Sequence, residues 1–337
     1  MKKILAICLT VILMIATCPM CMFTLTANAE TTYKEGYYTY TVSNGEATIT
    51  RCDSSLSGAV TLPSKLGGFP MTAIGNKAFY ERSSISSVVI PNGVKSIGDE
   101  AFMWCFGLNS VTIPESVNRI GVSAFAACIS LTRVNITDLK SWCEIDVYNK
   151  DCTGPLWYGA DLYVNGEKLE GDVIIPEGTT KISCTAFMDV DEITSIIIPY
   201  GVKTIDMYAF MSCDSLTTVT IPGSVANISG SVFRLCHNLN KVYFTGTEGM
   251  WNSLVGSDNA ELLNSKLHFN WSGVKGDFDG DSKLSKSDAV FLLYNSLYGD
   301  EEFPVGQSKD LNGDNNVTVS DAIYLLYHVL YGSEYPL

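Results

Sequence analysis

Residues 90–113 of this 337-residue chain read IPNGVKSIGDEAFMWCFGLNSVTI, and the same pattern recurs along the sequence. Within each uninterrupted block the step is 23 residues. The Ile-Pro pairs begin at Ile90, Ile113, Ile175, Ile198 and Ile221. Ala-Phe pairs keep the same spacing at residues 78, 101, 124, 186 and 209, and Val232-Phe233 continues the series. A fixed period of this length is typical of solenoid proteins.

Each repeat contains one short stretch of β-type alternation, such as Ser110–Ile113 and Thr218–Ile221. Alternate residues of these stretches are expected to face inward. The proline that follows has no N–H for a strand ladder, so it ends the strand. The Ala-Phe and Cys-x-x-Leu positions then fill the interior on the far side of the coil. Since one coil cannot bury these residues alone, we predict a β-rich solenoid with short strands and helical or irregular returns.

These repeats resemble the BspA-like leucine-rich repeats of bacterial surface and secreted proteins. The resemblance covers residues 61–245, after an N-terminal cap at 30–60 and before a closing segment and linker at 246–275. The spacing is lost in an insert at about 137–172, where Trp142, Trp157 and Tyr158 appear. These aromatic residues are interpreted either as a packed plug or as a platform for sugar rings, and the plug is favoured.

The outward rows of the predicted strands are small, polar and nearly uncharged. They contain Val89, Thr112 and Asn135 in one block and Ile197, Thr220 and Tyr243 in the other. Such a surface suits an extended binding face, or it is an inert solvated sheet. The residues name no ligand, so a polysaccharide, a protein and a cell surface all stay open.

The N-terminus has the features of a secretory signal peptide. Lys2 and Lys3 precede an apolar run from Ile4 to Ile15, and Ala27-Asn28-Ala29 offers a cleavage site before Glu30. A lipoprotein signal ending at Cys18 is a poorer fit. No other stretch approaches the roughly 20 apolar residues of a membrane span. We therefore expect an extracellular protein, secreted and associated with a scaffold or cell surface.

Charge and cysteine content narrow the class further. The net charge is -14, and loss of Lys2 and Lys3 makes it -16, which disfavours nucleic acid and anionic membranes as partners. Of the 11 cysteines, three leave with residues 1–29. Two pairs are 23 residues apart and are predicted to lie in the core: Cys105 and Cys128, Cys213 and Cys236. Cys143 and Cys152 are the best disulfide candidates in an oxidising compartment.

Two twelve-residue acidic runs lie near the C-terminus. Asp277–Asp288 reads DFDGDSKLSKSD, and Asp310–Asp321 reads DLNGDNNVTVSD. Both place oxygen-bearing side chains at positions 1, 3, 5, 9 and 12, a spacing that wraps the chain around one calcium ion. We predict two bound Ca²⁺ ions, since acidic turns without metal would repel themselves. The predicted ligands are Asp277, Asp279, Asp281, Lys283 (backbone), Ser285 and Asp288, then Asp310, Asn312, Asp314, Asn316 (backbone), Thr318 and Asp321.

The two loops and the segments after them are duplicates 33 residues apart. The pattern resembles a dockerin over Gly276–Gly332, within a domain predicted at 276–337. The resemblance implies binding to a cohesin domain of a scaffoldin, as in cellulosomes. By the dockerin pattern, the contact positions are Lys286, Ser287, Leu293, Tyr294 and Tyr298, then Val319, Ser320, Leu326, Tyr327 and Tyr331. Leucine and tyrosine at these positions favour an apolar interface.

Two functions remain for the whole chain. The first is a non-catalytic binding or adhesion protein, tethered by a calcium-dependent dockerin while its repeats present a ligand surface. The second is a glycoside hydrolase-type cellulosomal component in polysaccharide catabolism, because paired carboxylates converge only in the fold. No nucleophile elbow, phosphate-binding loop or zinc motif is present in the sequence. The sequence therefore favours the first.

Overall fold

The computed structural model describes residues 31–147, 154–269, 286, 289, 292, 293 and 319–331. The predicted signal peptide, Cys152 and most of both calcium loops lie outside these residues. The chain divides after Thr32, and nearly everything described below belongs to the unit Tyr33–Leu337. In the part of the chain that the structure describes, every helix is too short or too polar to cross a lipid bilayer.

The described chain begins with a small antiparallel sheet. Its strands are β1 (Thr32–Glu35), β2 (Tyr38–Ser43) and β3 (Glu46–Cys52). Asn44 and Gly45, with φ of 52° and 77°, form the two-residue turn between β2 and β3, as Asn-Gly does in many hairpins. β3 then pairs in parallel with β6 (Phe69–Ile74), which itself receives the antiparallel β5 (Lys65–Leu66). The hairpin thus extends a sheet that continues into the repeats.

The repeats form a parallel ladder of short strands, as the periodicity predicts. The first block contains β4 (Gly58–Thr61), β7 (Ile85–Val89), β9 (Ser110–Ile113), β11 (Arg133–Ile136) and β13 (Asp161–Val164), closed by the antiparallel β14 (Glu167–Lys168). The second contains β15 (Gly171–Ile174), β17 (Ile193–Ile197), β19 (Thr218–Ile221), β21 (Lys241–Phe244) and β22 (Lys266–Phe269). Register follows the repeat: Val88 pairs with Val111, and Val111 with Val134. The predicted β-solenoid is confirmed.

The returns contain a second ladder that the sequence analysis missed. It consists of β8 (Ser96–Ile97), β10 (Arg119–Ile120) and β12 (Asp146–Val147), then β16 (Lys181–Ile182), β18 (Thr204–Ile205) and β20 (Asn227–Ile228). These strands have two residues each, too few for alternation to show in a sequence. Turns occupy the rest of the described 23-residue coils, so the expectation of helical returns is wrong for them.

Left-handed residues explain why a helix cannot form in these returns. Two non-glycine residues with positive φ flank each Ala-Phe pair: 77 and 81, 100 and 104, 123 and 127, 185 and 189, 208 and 212, 231 and 235. Each costs about 1–2 kcal/mol in a residue that carries a Cβ. Hydrogen bonds to the next coil offset this cost. The amide of Lys77 donates to Asp99 O at 2.9 Å, and that of Glu100 to Val122 O at 2.8 Å.

Ala127→Gly should therefore stabilise the protein. Ala127 has a φ of 58°, which glycine adopts without a steric penalty. We expect the free energy of unfolding in urea to rise by about 1 kcal/mol. The matched control is Ala124→Gly in the same coil, where the buried methyl group has an ordinary backbone. Its loss should lower that free energy, so a fall in both variants would contradict the prediction.

Phenylalanine rings form the centre of the core. The Phe79, Phe102 and Phe125 rings stack with centroids 5.0 and 5.2 Å apart. In the second block, Phe187, Phe210 and Phe233 stack at 5.1 Å with rings within 7° of parallel. All six side chains are buried. Stacking across coils makes the core one continuous column in each block.

The repeated cysteines lie beside this column as buried free thiols, as predicted. Each thiol donates a hydrogen bond to the carbonyl of a phenylalanine one coil earlier. The Cys105 Sγ lies 3.0 Å from Phe79 O, and the Cys213 Sγ lies 3.0 Å from Phe187 O. The thiols thus join neighbouring coils as well as filling space.

Burial raises the pKa of the Cys105 and Cys128 thiols to about 12, against 9.0 for an ordinary thiol. Above pH 9 the unfolded chain loses these protons while the folded chain keeps them. Stability that is complete below pH 9 is therefore lost as pH rises toward 12, by about 1.4 kcal/mol per pH unit for each thiol. Urea unfolding at about pH 8 and pH 10.5, under nitrogen, should show a shallower loss in Cys105→Ala/Cys128→Ala. Equal losses in this variant and the wild type would contradict the assignment.

The insert does not interrupt the solenoid. It carries α1 (Leu139–Glu144), and then β13 pairs with β11 in the ordinary register, Leu162 beside Val134. The insert is thus an enlarged coil. Trp142 is 5% exposed, and its Nε1 donates to Ala186 O at 2.7 Å. One hydrophobic core therefore runs from Tyr40 to Leu262, and Trp142 has the plug role.

The proposed pairing of Cys143 with Cys152 is wrong. Cys143 is a free thiol on α1, completely buried in the core, whereas Cys184 is disulfide-bonded. Cys152 itself lies outside the described residues. The sequence analysis chose Cys143 because it is close in the chain. The helix instead turns its side chain into the solenoid interior.

The second block ends in two short helices, α2 (Glu248–Leu254) and α3 (Ala260–Asn264). Thr247 caps α2, its hydroxyl oxygen accepting from the Met250 amide at 3.3 Å. Trp251 on α2 is 2% exposed and lies 5.2 Å from the Phe244 ring centroid. This segment covers the last phenylalanine of the ladder.

Candidate binding surfaces

The outward face of the first ladder carries a rigid polar patch. Asn135 on β11 is in register with Tyr163 on β13. Between them the Arg133 guanidinium lies 3.7 Å from the Tyr163 ring centroid, a cation–π contact. Its Nε donates to Asn135 Oδ1 at 2.9 Å. The sequence analysis missed Tyr163 because it lies within the insert, although Asp161–Val164 has strand alternation.

The outward face of the second ladder is more apolar. Ile174, Ile197, Thr220 and Tyr243 stand in one row. Ile174 is 67% exposed and Ile197 is 42% exposed. In the neighbouring row, Asp172 accepts from the Ser195 hydroxyl at 2.6 Å, and this hydrogen bond, with one from Thr194, lowers the pKa of the carboxyl. The two ladders therefore present different chemistry, not one uniform surface.

The C-terminal segment contains α4 (Val319–Tyr331) and a small core. Its buried residues are Ala289 and Leu292 from the first half, and Ala322 and Leu325 from the second. Each pair is separated by 33 residues, the spacing of the duplication. Equivalent positions of the two halves thus pack against each other.

Next to this core lies an apolar cavity of about 430 Å³. It brings together four of the predicted contact positions: Lys286, Leu293, Val319 and Leu326. Ala289, Ala322 and Ile323 complete the lining. Tyr327 is 42% exposed on α4. Ser287, Tyr294 and Tyr298 lie outside the described residues, and Ser320 and Tyr331 are described only as parts of α4.

Only one predicted calcium ligand lies in the described part of the chain. Asp321 is completely buried in the first turn of α4. A carboxylate is favoured at a helix N-terminus and is a donor that calcium prefers. The other eleven predicted ligands lie outside the described residues, where the calcium prediction stays untested. Among the described residues, no group of three or more His, Cys, Asp or Glu side chains could hold a metal ion.

The sequence matches the BspA type leucine rich repeat region in six copies, over residues 72–149 and 161–253, about half of the chain. No curated protein is significantly similar to it. Three solved structures are similar. The Treponema pallidum (T. pallidum) leucine-rich repeat protein is 23% identical, with 63% of this chain and 71% of that chain covered and a TM-score of 0.29. A leucine-rich cell surface protein from Faecalibacterium prausnitzii is 18% identical, with 77% and 100% covered and a TM-score of 0.31. A Bacteroides ovatus leucine-rich repeat protein is 19% identical, with 63% and 70% covered and a TM-score of 0.32.

Proposed function

Because this chain belongs to the BspA-type leucine-rich repeat family, we propose that it is a secreted, non-catalytic binding protein. In this proposal the solenoid presents a ligand surface, and the C-terminal segment is a calcium-dependent docking module for a cohesin-type partner. The apolar cavity beside α4 is the observation that carries the docking part.

The lining of the cavity has the symmetry of the duplication. Lys286 corresponds to Val319, Ala289 to Ala322 and Leu293 to Leu326, each 33 residues apart. Both halves therefore contribute equivalent residues to one surface. A partner that contacts this surface can use either half in nearly the same way, apart from the exchange of Lys286 for Val319.

Exposed apolar side chains support a partner at α4. Val319, Ile323 and Leu330 are 38%, 49% and 47% exposed. A single helix with apolar residues on several faces buries only one of them in a small core, and the remainder is stabilised by a partner. The occupant we propose is the cohesin domain that the dockerin pattern implies.

The solenoid supplies the second binding element. Parallel strands in register hold the outward rows at fixed spacing, and buried stacking from coil to coil keeps those rows rigid. The Arg133–Tyr163 patch and the Ile174–Ile197 row are the places where this face has distinct chemistry. We propose that ligands of the repeats, whether polysaccharide, protein or cell surface, bind there.

Leu326→Asp should test the docking surface. It places a carboxylate in the apolar cavity, where desolvation opposes binding, so capture of a cohesin domain should weaken about 10- to 100-fold. Native gels of the full chain with a panel of cohesin domains, with calcium and with chelator, provide the measurement. Leu330→Asp is the matched control, because Leu330 is exposed on the same helix but does not line the cavity. Equal weakening in both variants, or capture that survives chelation, would reject the docking proposal.

A further inference from the structure

A polar cleft of about 250 Å³ lies at the end of the N-terminal hairpin, far in sequence from the docking surface. Its lining includes three basic residues, Lys34, Arg51 and Arg82, and one acidic residue, Asp53. The hairpin pairing places Thr39 opposite Arg51 and Tyr38 opposite Cys52, so the cleft is built on regular strands. We call it the cap cleft.

The Arg82 side chain is held in place before any ligand arrives. Its Nε and Nη2 donate to Cys52 O at 3.2 and 3.1 Å, and its Nη1 donates to Tyr80 O at 3.2 Å. These bonds occupy three of the five N–H groups of a guanidinium. Within the described residues, the other two N–H groups have no hydrogen-bond partner. A guanidinium fixed in this way loses little conformational entropy when it binds an anion.

The acidic residue of the cleft does not cancel its positive charge. Asp53 accepts from the Ser55 amide at 3.0 Å and from the Ser55 hydroxyl at 2.8 Å, and the Lys34 Nζ lies 3.3 Å away. The Ser55 amide, with the other contacts, lowers the pKa of the Asp53 carboxyl to about 2, so it is ionised and paired with Lys34. Arg51 and Arg82 remain as net positive charge in a chain whose total charge is -14.

We infer that the cap cleft is a binding site for an oxyanion: the carboxylate, sulfate or phosphate group of a ligand. Arginine side chains recognise such groups through paired, charge-assisted N–H donors. The cleft is smaller than the roughly 300–1,000 Å³ of sites for drug-sized ligands, so it accommodates one anionic group rather than a polymer segment. On an acidic protein, a local positive site selects anions that the rest of the surface repels.

Titration calorimetry of the full chain at low ionic strength tests this inference. Sulfate, phosphate and glucuronate are titrated separately, and the tightest of the three identifies the source of the oxyanion. Arg51→Gln should weaken the binding about 10- to 100-fold, the usual effect of losing hydrogen bonds to a charged group. Arg51→Lys, which keeps the charge but not the planar fork, should weaken it less. Arg51 is exposed, so these variants should keep the melting temperature of the wild type.

Arg234→Gln is the matched control. It removes the same charge from an exposed position in the last 23-residue coil and should change the affinity less than about twofold, since distant exposed charges are screened. Absence of measurable binding for all three anions would overturn the inference. So would equal weakening in Arg51→Gln and Arg234→Gln, which would indicate only a general charge effect. Neither result depends on cohesin capture, so the docking proposal is tested separately.

Discussion

Phe102→Ala should lower the free energy of unfolding by about 3–5 kcal/mol. Phe102 is completely buried between the rings of Phe79 and Phe125, at centroid distances of 5.0 and 5.2 Å. Its removal leaves a cavity in the ring column and breaks two stacking contacts at once. Coils of a solenoid contact only their neighbours, so the loss falls on both interfaces of this coil.

Phe106→Ala is the matched control for this prediction. Phe106 belongs to the same coil but is 48% exposed, so its loss should cost less than about 1 kcal/mol. Phe102→Leu should lie between the two variants, because leucine refills part of the cavity without restoring the stack. Urea unfolding followed by circular dichroism provides the measurement. Similar costs for Phe102→Ala and Phe106→Ala would show that the ring column does not hold the coils together.

Asp277→Ala combined with Asp310→Ala should abolish cohesin capture, with affinity reduced at least about 1,000-fold, if the C-terminal loops bind calcium as we propose. Each substitution removes the first ligand of a predicted loop, and a calcium site that loses a carboxylate loses much of its affinity. The solenoid has its own core, separate from the small core of the C-terminal segment, so it should remain folded.

Two measurements separate this mechanism from a general loss of folding. Calorimetric titration should show two calcium ions bound to the wild type and none to the double variant. Addition of chelator to the wild type should lower the melting temperature of a C-terminal transition and leave that of the solenoid unchanged, because ligands stabilise only the unit that binds them. Calcium-dependent capture by the double variant would contradict the assignment of the ligands.

The same two loops show a limit of prediction in this chain. Their ligand spacing is a local property and can be read from the sequence. The docking surface is assembled from two segments, and its lining combines predicted contacts such as Leu293 and Leu326 with Ile323, which the dockerin pattern does not include. Ile323 could have been found only by asking which exposed apolar residue lies between Val319 and Leu326 on one helix.

The amino-acid sequence by itself determined the repeat, the main strands and the identity of the core. A 23-residue period places the same side chain at the same point of every coil, so Phe102 and Cys105 are buried wherever coils stack. The strand ends before Pro114 and Pro222 follow equally locally, because proline has no N–H for the ladder.

Only the tertiary structure decided the features that depend on contacts between coils. The two-residue strands and the left-handed residues such as Glu100 exist because a neighbouring coil accepts their hydrogen bonds. Cys143 is free for the same kind of reason: a nearby partner in the chain mattered less than the burial of its side chain on α1. The cap cleft brings Lys34, Arg51 and Arg82 together from three separate segments. Periodicity describes one coil at a time, whereas these features are properties of coils in contact.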